Sequence, residues 1–350
     1  MDSNRKIGFA CAYTPLAVIH AAGFTPWRVL PSGDSPDQAG HILHDNLCPH
    51  VKRILDRAMA RDIPDLSGMV FMNSCDAMRR LHDAWRTARP DVPAALIDLP
   101  VNPTGAAIKF FEGELRRFAD TLASWGGRAV TPGGLKESVE KYNRIGASLA
   151  DLRERVKAGT FPGGPAALQE AYNRASMEDP DDASAYLDTV RALPPVASAS
   201  PAGTPIFLFG NVLPDPEAFA LFESCGARII YDDLCTGSRL FTTVRPAGNE
   251  DPMAALAREI LNRKPCARTI SADKPGRLSE LIASDAVGCG AKGVIGHTVK
   301  FCDPYIARLP SIRAALKNAG LPFLILEGDC TLRSMGQQKT RIEAFIEMLG

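Results

Sequence analysis

Gly293-Val294-Ile295-Gly296-His297-Thr298-Val299-Lys300-Phe301-Cys302-Asp303-Pro304 reads as a short apolar strand that runs into a cysteine–aspartate step and then into a proline-opened helix. The same order occurs earlier in the chain. Gly68-Met69-Val70-Phe71-Met72-Asn73 leads to Ser74-Cys75-Asp76-Ala77, with Asp76 placed to cap the helix carrying Met78, Leu81 and Trp85. Open α/β sheets place ligands beyond the carboxyl ends of their strands. Two cysteines at corresponding strand ends therefore predict two pieces of one site.

Working outward, Ile7 to Cys11 is strand-like, Pro15 opens a short helix that stops at Gly23, and Thr25 to Leu30 is the next strand. Cys48-Pro49 begins a helix to about Ala60, Ala94 to Leu99 is a strand, and Thr104 precedes a helix. That helix carries Ile108, Phe111, Leu115, Phe118, Leu122 and Trp125 as an apolar stripe. From residue 135 the pattern is purely helical: Leu135, Val139, Tyr142, Ile145, Leu149, Leu152 and Val156 face one way, and no strand is indicated before 204. A linker rich in proline, alanine and serine spans 193–203. Ile206 to Gly210 then restarts the opening plan of strand, proline-initiated helix, Cys225-Gly226 stop and strand Ala227 to Asp232. Alternating strands and helices imply parallel sheets. The expected organisation is an α/β domain over 1–133, a helical insertion and linker over 134–203, and a second α/β domain over 204–350.

The 350 residues carry 40 basic and 40 acidic side chains, with no long run of either sign. Nothing in that balance favours nucleic acid or a membrane surface. The amino terminus lacks an apolar signal region, so a cytoplasmic protein is expected. Nine cysteines at irregular spacing, with no Cys-x-x-Cys, argue against disulfides, zinc ribbons and contiguous ferredoxin motifs. Gly288 to Gly293 matches G-x-G-x-x-G, but it follows a helix and precedes a strand, the reverse of a dinucleotide site. No P-loop is present.

The cysteines divide by position. Cys225, Cys266 and Cys289 read as small apolar residues. Cys75, Cys235 and Cys302 each follow a strand, Cys48 starts a helix whose N-terminus would favour a thiolate, and Cys11 and Cys330 also lie near strand ends. Three thiolates around one point suit an iron–sulfur cluster with one iron free of cysteine. A single nucleophilic cysteine would need a basic partner, and no histidine recurs beside the candidates.

Several stretches together carry a family likeness. They are Gly8-Phe9-Ala10-Cys11-Ala12-Tyr13-Thr14-Pro15, Ala21-Ala22-Gly23-Phe24, Leu47-Cys48-Pro49 and Asn73-Ser74-Cys75-Asp76-Ala77-Met78-Arg79-Arg80. To these are added Lys300-Phe301-Cys302-Asp303-Pro304, Glu327-Gly328-Asp329 and Thr340-Arg341-Ile342-Glu343-Ala344-Phe345. The set resembles the 2-hydroxyacyl-CoA dehydratase D-component family, which includes benzoyl-CoA reductase subunits and double-cubane cluster proteins.

The resemblance implies two flavodoxin-like α/β domains and a [4Fe-4S] cluster held by three cysteines in the cleft. Cys75 and Cys302 match the family motifs, and Cys48 looks most like the third ligand, whereas the strand-end reading prefers Cys235. It also implies an acyl-CoA substrate, pairing with a related subunit or a second copy, and a separate ATP-hydrolysing iron–sulfur activator. The expected reaction is elimination of water through a ketyl radical anion, with His297 and Lys300 as candidates for contact with the CoA phosphates or thioester. Because Cys11, Cys235 and Cys330 also sit near sheet ends, the chain resembles the double-cubane branch too, in which an [8Fe-9S] cluster reduces small molecules. From another class, a non-catalytic two-domain ligand-binding protein would bind its ligand in the cleft without metal.

Overall fold

The computed structural model describes residues 5–33, 35–196, 202–271, 273–330 and 336–350. Two four-stranded parallel sheets organise it. The first half runs β1 (Lys6–Phe9), α1 (Leu16–Ala21), β2 (Thr25–Arg28), α2 (Pro49–Met59), β3 (Leu66–Asn73), α3 (Asp76–Ala88), β4 (Ala94–Asp98) and α4 (Gly105–Ser124). Three helices follow, α5 (Pro132–Lys157), α6 (Gly164–Ala175) and α7 (Pro180–Arg191). The second half has β5 (Thr204–Gly210), α8 (Pro216–Ser224), β6 (Ala227–Asp233), α9 (Pro252–Asn262), α10 (Arg277–Gly288), β7 (Gly293–Val299), α11 (Asp303–Asn318), β8 (Phe323–Gly328) and α12 (Lys339–Leu349). Positions 197–201, the middle of the expected linker, lie outside the described residues.

The strand orders are β2-β1-β3-β4 and β6-β5-β7-β8, so the two sheets share one topology. Both reverse their winding direction between the first and third strands, the switch point where such sheets open a crevice. The two-domain α/β expectation therefore holds, on a duplicated plan. β7 is buried along its whole length, as a central parallel strand covered on both faces must be.

The helical stripe works as its spacing demands. Leu135, Val139, Tyr142, Ile145, Leu149, Leu152 and Val156 of α5 are all buried. Each such side chain contributes about 1.5–3 kcal/mol relative to exposure. The α9 helix packs against α4, and its Leu256, Ile260 and Leu261 share a core with Phe111, Leu115 and the α5 stripe. A helix from the second half of the chain thus clamps the first sheet. No helix of the described residues is long and apolar enough to cross a membrane.

Gly210, at the carboxyl end of β5, has φ 156°, and a Cβ there would run into the His297 carbonyl oxygen of β7. The same glycine's own carbonyl accepts hydrogen bonds from Tyr305 Oη (2.7 Å) and Arg239 Nη1 (3.3 Å). Backbone with such neighbours cannot step aside cheaply. We expect Gly210→Ala to lose about 3 kcal/mol of stability, read as a lowered denaturation midpoint; a midpoint within error of the parent would refute this packing.

Candidate metal–sulfur site

Cys48, Cys75 and Cys302 are each the N-cap residue of a helix, opening α2, α3 and α11. Asp76, expected to cap α3, is instead the first residue inside it and pairs at the surface with Arg80 (3.4 Å). The cysteine stands where the free amides of the first turn point. Each thiol faces the backbone amide three residues on, of Val51, Met78 or Tyr305. Three helix N-termini thus direct partial positive charge at one place.

Those thiols line a cavity of about 120 Å³ at the carboxyl ends of both sheets, together with Cys11, Cys235 and Cys266. A second cavity of about 390 Å³ opens outward from Cys48, Cys75 and Cys302, past Val101, Ile270 and Phe301. Phe301 bends the turn between β7 and α11 with φ 57°, a left-handed conformation rare for a bulky residue. Its ring is 46% exposed at the mouth of the site.

Cys266, which by its place in the sequence reads as a structural residue, is brought into the cavity by the fold. It rides on the segment between α9 and α10, which other residues hold in place. Arg263 Nη1 donates to Ala12 O (2.7 Å), and the Arg268 guanidinium donates to the carbonyls of Ser74, Pro100 and Leu99 (2.8–2.9 Å). Ile270 N donates to Val101 O (2.9 Å), and Arg308 reaches Ala267 O (3.3 Å) from the other sheet's side. These bonds strap the segment across the cleft between the inner and outer cavities.

Cys330 is buried but lines a different space, a polar cavity of about 780 Å³ with Asp215 and Asp329. His297 is 1% exposed on β7, and among the described residues neither ring nitrogen has a hydrogen-bond partner. Burial lowers its pKa to about 4. Lys300 is exposed, and its amide donates to Gly328 O (2.9 Å). Neither His297 nor Lys300 is among the side chains lining the two cysteine cavities.

Two further residues organise the cavity. Asn211 follows β5; its Oδ1 accepts from Val299 N (3.1 Å), its carbonyl accepts from Cys235 N (2.7 Å), and its side chain also bonds towards Cys302. Arg239 is fully buried and makes two 2.7 Å bonds to Asp233, with Nη1 also donating to Tyr305 Oη (2.8 Å) and approaching Cys235 Sγ (3.9 Å). Burial opposes the charge of Arg239, but the Asp233 carboxylate, on two hydrogen bonds, outweighs it and holds the guanidinium protonated.

The donor set is chemically selective. Thiolates are soft ligands suited to iron–sulfur groups. Among the described residues, no three His, Cys, Asp or Glu side chains converge tightly enough for a single metal ion. The cysteines instead line one cavity, and thiols are the donor type that iron–sulfur groups take.

Residues 11–349 match the family described as 2-hydroxyglutaryl-CoA dehydratase, D-component. The chain belongs to this family. Among its relatives, the (R)-phenyllactyl-CoA dehydratase beta subunit of Clostridium sporogenes is 24% identical over 99% of this chain and 92% of its own. The lactoyl-CoA dehydratase beta subunit of Anaerotignum propionicum is 25% identical over 98% and 91%. One of the benzoyl-CoA reductase subunits of Thauera aromatica is 23% identical over 92% and 85%. The family expected from the quoted motifs is thus the family found.

Two outcomes follow from the geometry of the site. Asp233→Asn leaves Arg239 buried without its counter-ion, and should cost about 3–5 kcal/mol in chemical denaturation; an unchanged midpoint would show the pair to be dispensable. Burial raises Cys75 to about 11 and Cys302 to about 12. Without a bound group both are protonated at neutral pH, and thiolate is the reactive form. Iodoacetamide at pH 8 should therefore label them much more slowly than a free cysteine, with the rate climbing as pH rises; free-cysteine rates would contradict the burial.

Proposed function

We propose that this chain is the iron–sulfur subunit of a 2-hydroxyacyl-CoA dehydratase-type enzyme, which eliminates water from an acyl-CoA by one-electron, ketyl-radical chemistry. The observation carrying this reading is that Cys48, Cys75 and Cys302, from two related sheets, each cap a helix and line one cavity. Relatives named as dehydratase and reductase subunits support the reaction class.

The three capping cysteines would hold a [4Fe-4S] cluster, which supplies a low-potential electron and an iron open to an oxygen ligand. The chain's own residues do the rest. First-turn amides of α2, α3 and α11 offset negative charge on the thiolates. The segment carrying Cys266 and Arg268 lines both the inner and the outer cavity. The outer cavity, walled by Val101, Ile270 and Phe301, offers the thioester an approach to Cys75 and Cys302. His297 and Lys300, the proposed contacts for the CoA phosphates or thioester, lie at the end of β7, where His297 O accepts from Asn211 N (3.3 Å) and Lys300 N donates to Gly328 O of β8 (2.9 Å). A related second subunit or a second copy, and a separate ATP-hydrolysing activator, complete the proposed cytoplasmic enzyme.

A second reading has its own observation. Cys11, Cys235 and Cys266 line the same cavity as the capping cysteines, and Cys330 does not. Two sets of thiols on one cavity support a double-cubane [8Fe-9S] group and reduction of small molecules.

Anaerobic reconstitution with iron and sulfide tests both readings. About four irons per chain support the single cluster and about eight the double cubane, and a colourless, iron-free protein would sink both. Cys302→Ser should abolish cluster absorbance. Cys266→Ser should roughly halve the iron count if the group is a double cubane, and leave it unchanged if the cluster is single.

A further inference from the structure

Arg28, at the end of β2, is 1% exposed and its side chain lines the cysteine cavity. Its guanidinium donates to two backbone carbonyls, Cys235 O at 2.7 Å and Ala10 O at 3.3 Å, and lies over the Phe9 ring at 5.9 Å. No carboxylate among the described residues forms an ion pair with it. Arg239, across the same cavity, shows the compensated alternative, with both arms on Asp233.

A buried charge without a counter-ion is strongly unfavourable. An arginine keeps its charge inside a protein, so the cost of burying this one remains. The groups whose negative charge would favour Arg28 are Cys235 and Cys11. Those two also interact with each other and with Cys266. The cavity thus sets Cys11, Cys235 and Cys266 beside a guanidinium that is 1% exposed and, among the described residues, bonds only backbone carbonyls.

We infer that Arg28 is the fixed counter-charge for an anionic metal–sulfur group held by Cys11, Cys235 and Cys266, and that it makes that group easier to reduce. Each added electron raises the negative charge facing the guanidinium, so the cation favours the reduced form more than the oxidised one. This rests on the second iron–sulfur reading above, in which Cys11, Cys235 and Cys266 hold part of the group, and adds the residue that sets the potential. Arg28 is a positioning and potential-setting residue.

The test uses the full chain with Arg28→Met and Arg28→Lys, reconstituted anaerobically with iron and sulfide beside the parent. Iron is counted, midpoint potentials are read by electron paramagnetic resonance, and the iron-free proteins are melted. Arg28→Met should take up fewer irons, or keep its irons with a midpoint lowered by about 59 mV or more, a tenfold change in a one-electron equilibrium. Arg28→Lys should stay near the parent in both. Iron-free Arg28→Met should melt at or above the parent, because an uncompensated charge has been removed.

An unchanged count and potential in Arg28→Met would overturn the inference, as would a lower melting point of its iron-free form, which marks a structural arginine. An iron count untouched by Cys266→Ser would overturn it as well. If the parent chain itself binds no iron, the iron–sulfur reading fails; normal uptake with an unshifted potential overturns the role of Arg28 alone.

Discussion

The ion pair between Arg239 and Asp233 is buried on both sides and ties together the elements that end at the cysteines. Asp233 closes β6, Gly210 closes β5, and Tyr305 lies in the first turn of α11; Arg239 bonds all three. Removing two charges from water is costly, and the cost is offset only by near-ideal geometry and full hydrogen bonding. Lys264 adds a second cation 3.3 Å from Asp233 and is itself paired with Asp285. The network therefore specifies one arrangement of the carboxyl end of the second sheet, and with it the direction in which Cys235 and Cys302 point.

On that base the site is assembled from both halves of the chain. Duplicated sheet topology brings two strand-end crevices to one place, and three helix N-termini direct partial positive charge at the thiols there. Closure is the work of the segment between α9 and α10. Its arginines bond carbonyls of the first sheet's loops, so the strap is held by groups that would otherwise be unsatisfied at strand ends. The walls of the outer cavity, with Phe301 exposed in a left-handed backbone, give this buried chemistry an apolar entrance.

Much of this is legible along the chain because its causes are local. Apolar runs of strand length, prolines at helix starts and glycines past helix ends act within a few residues, so the repeated α/β plan and the α5 stripe can be read directly. Cys75 and Cys302 are legible for the same reason: strand, cysteine and helix are contiguous. Cys48 needs the family motif, since no strand precedes it, yet as a helix cap it is equivalent to the other two. The cap of α3 stands one residue earlier than the sequence pattern suggests. Asp76 is the commoner capping type, but a cysteine before the first turn leaves its amides free for a ligand.

Cys266, Arg28 and Asn211 are not legible, and the reason is distance along the chain. Cys266 lies in an irregular stretch whose position depends on carbonyls more than 160 residues away. Arg28 looks like an ordinary basic residue ending a strand, and its burial against Cys235 depends on a contact 207 residues apart. Local pattern determined the two sheets, the insertion helices and the cysteines that cap helices. Long-range packing decided which other thiols share their cavity and buried the Arg28 guanidinium there with only backbone carbonyls for partners among the described residues, because burial and charge compensation are properties of what surrounds a residue in space.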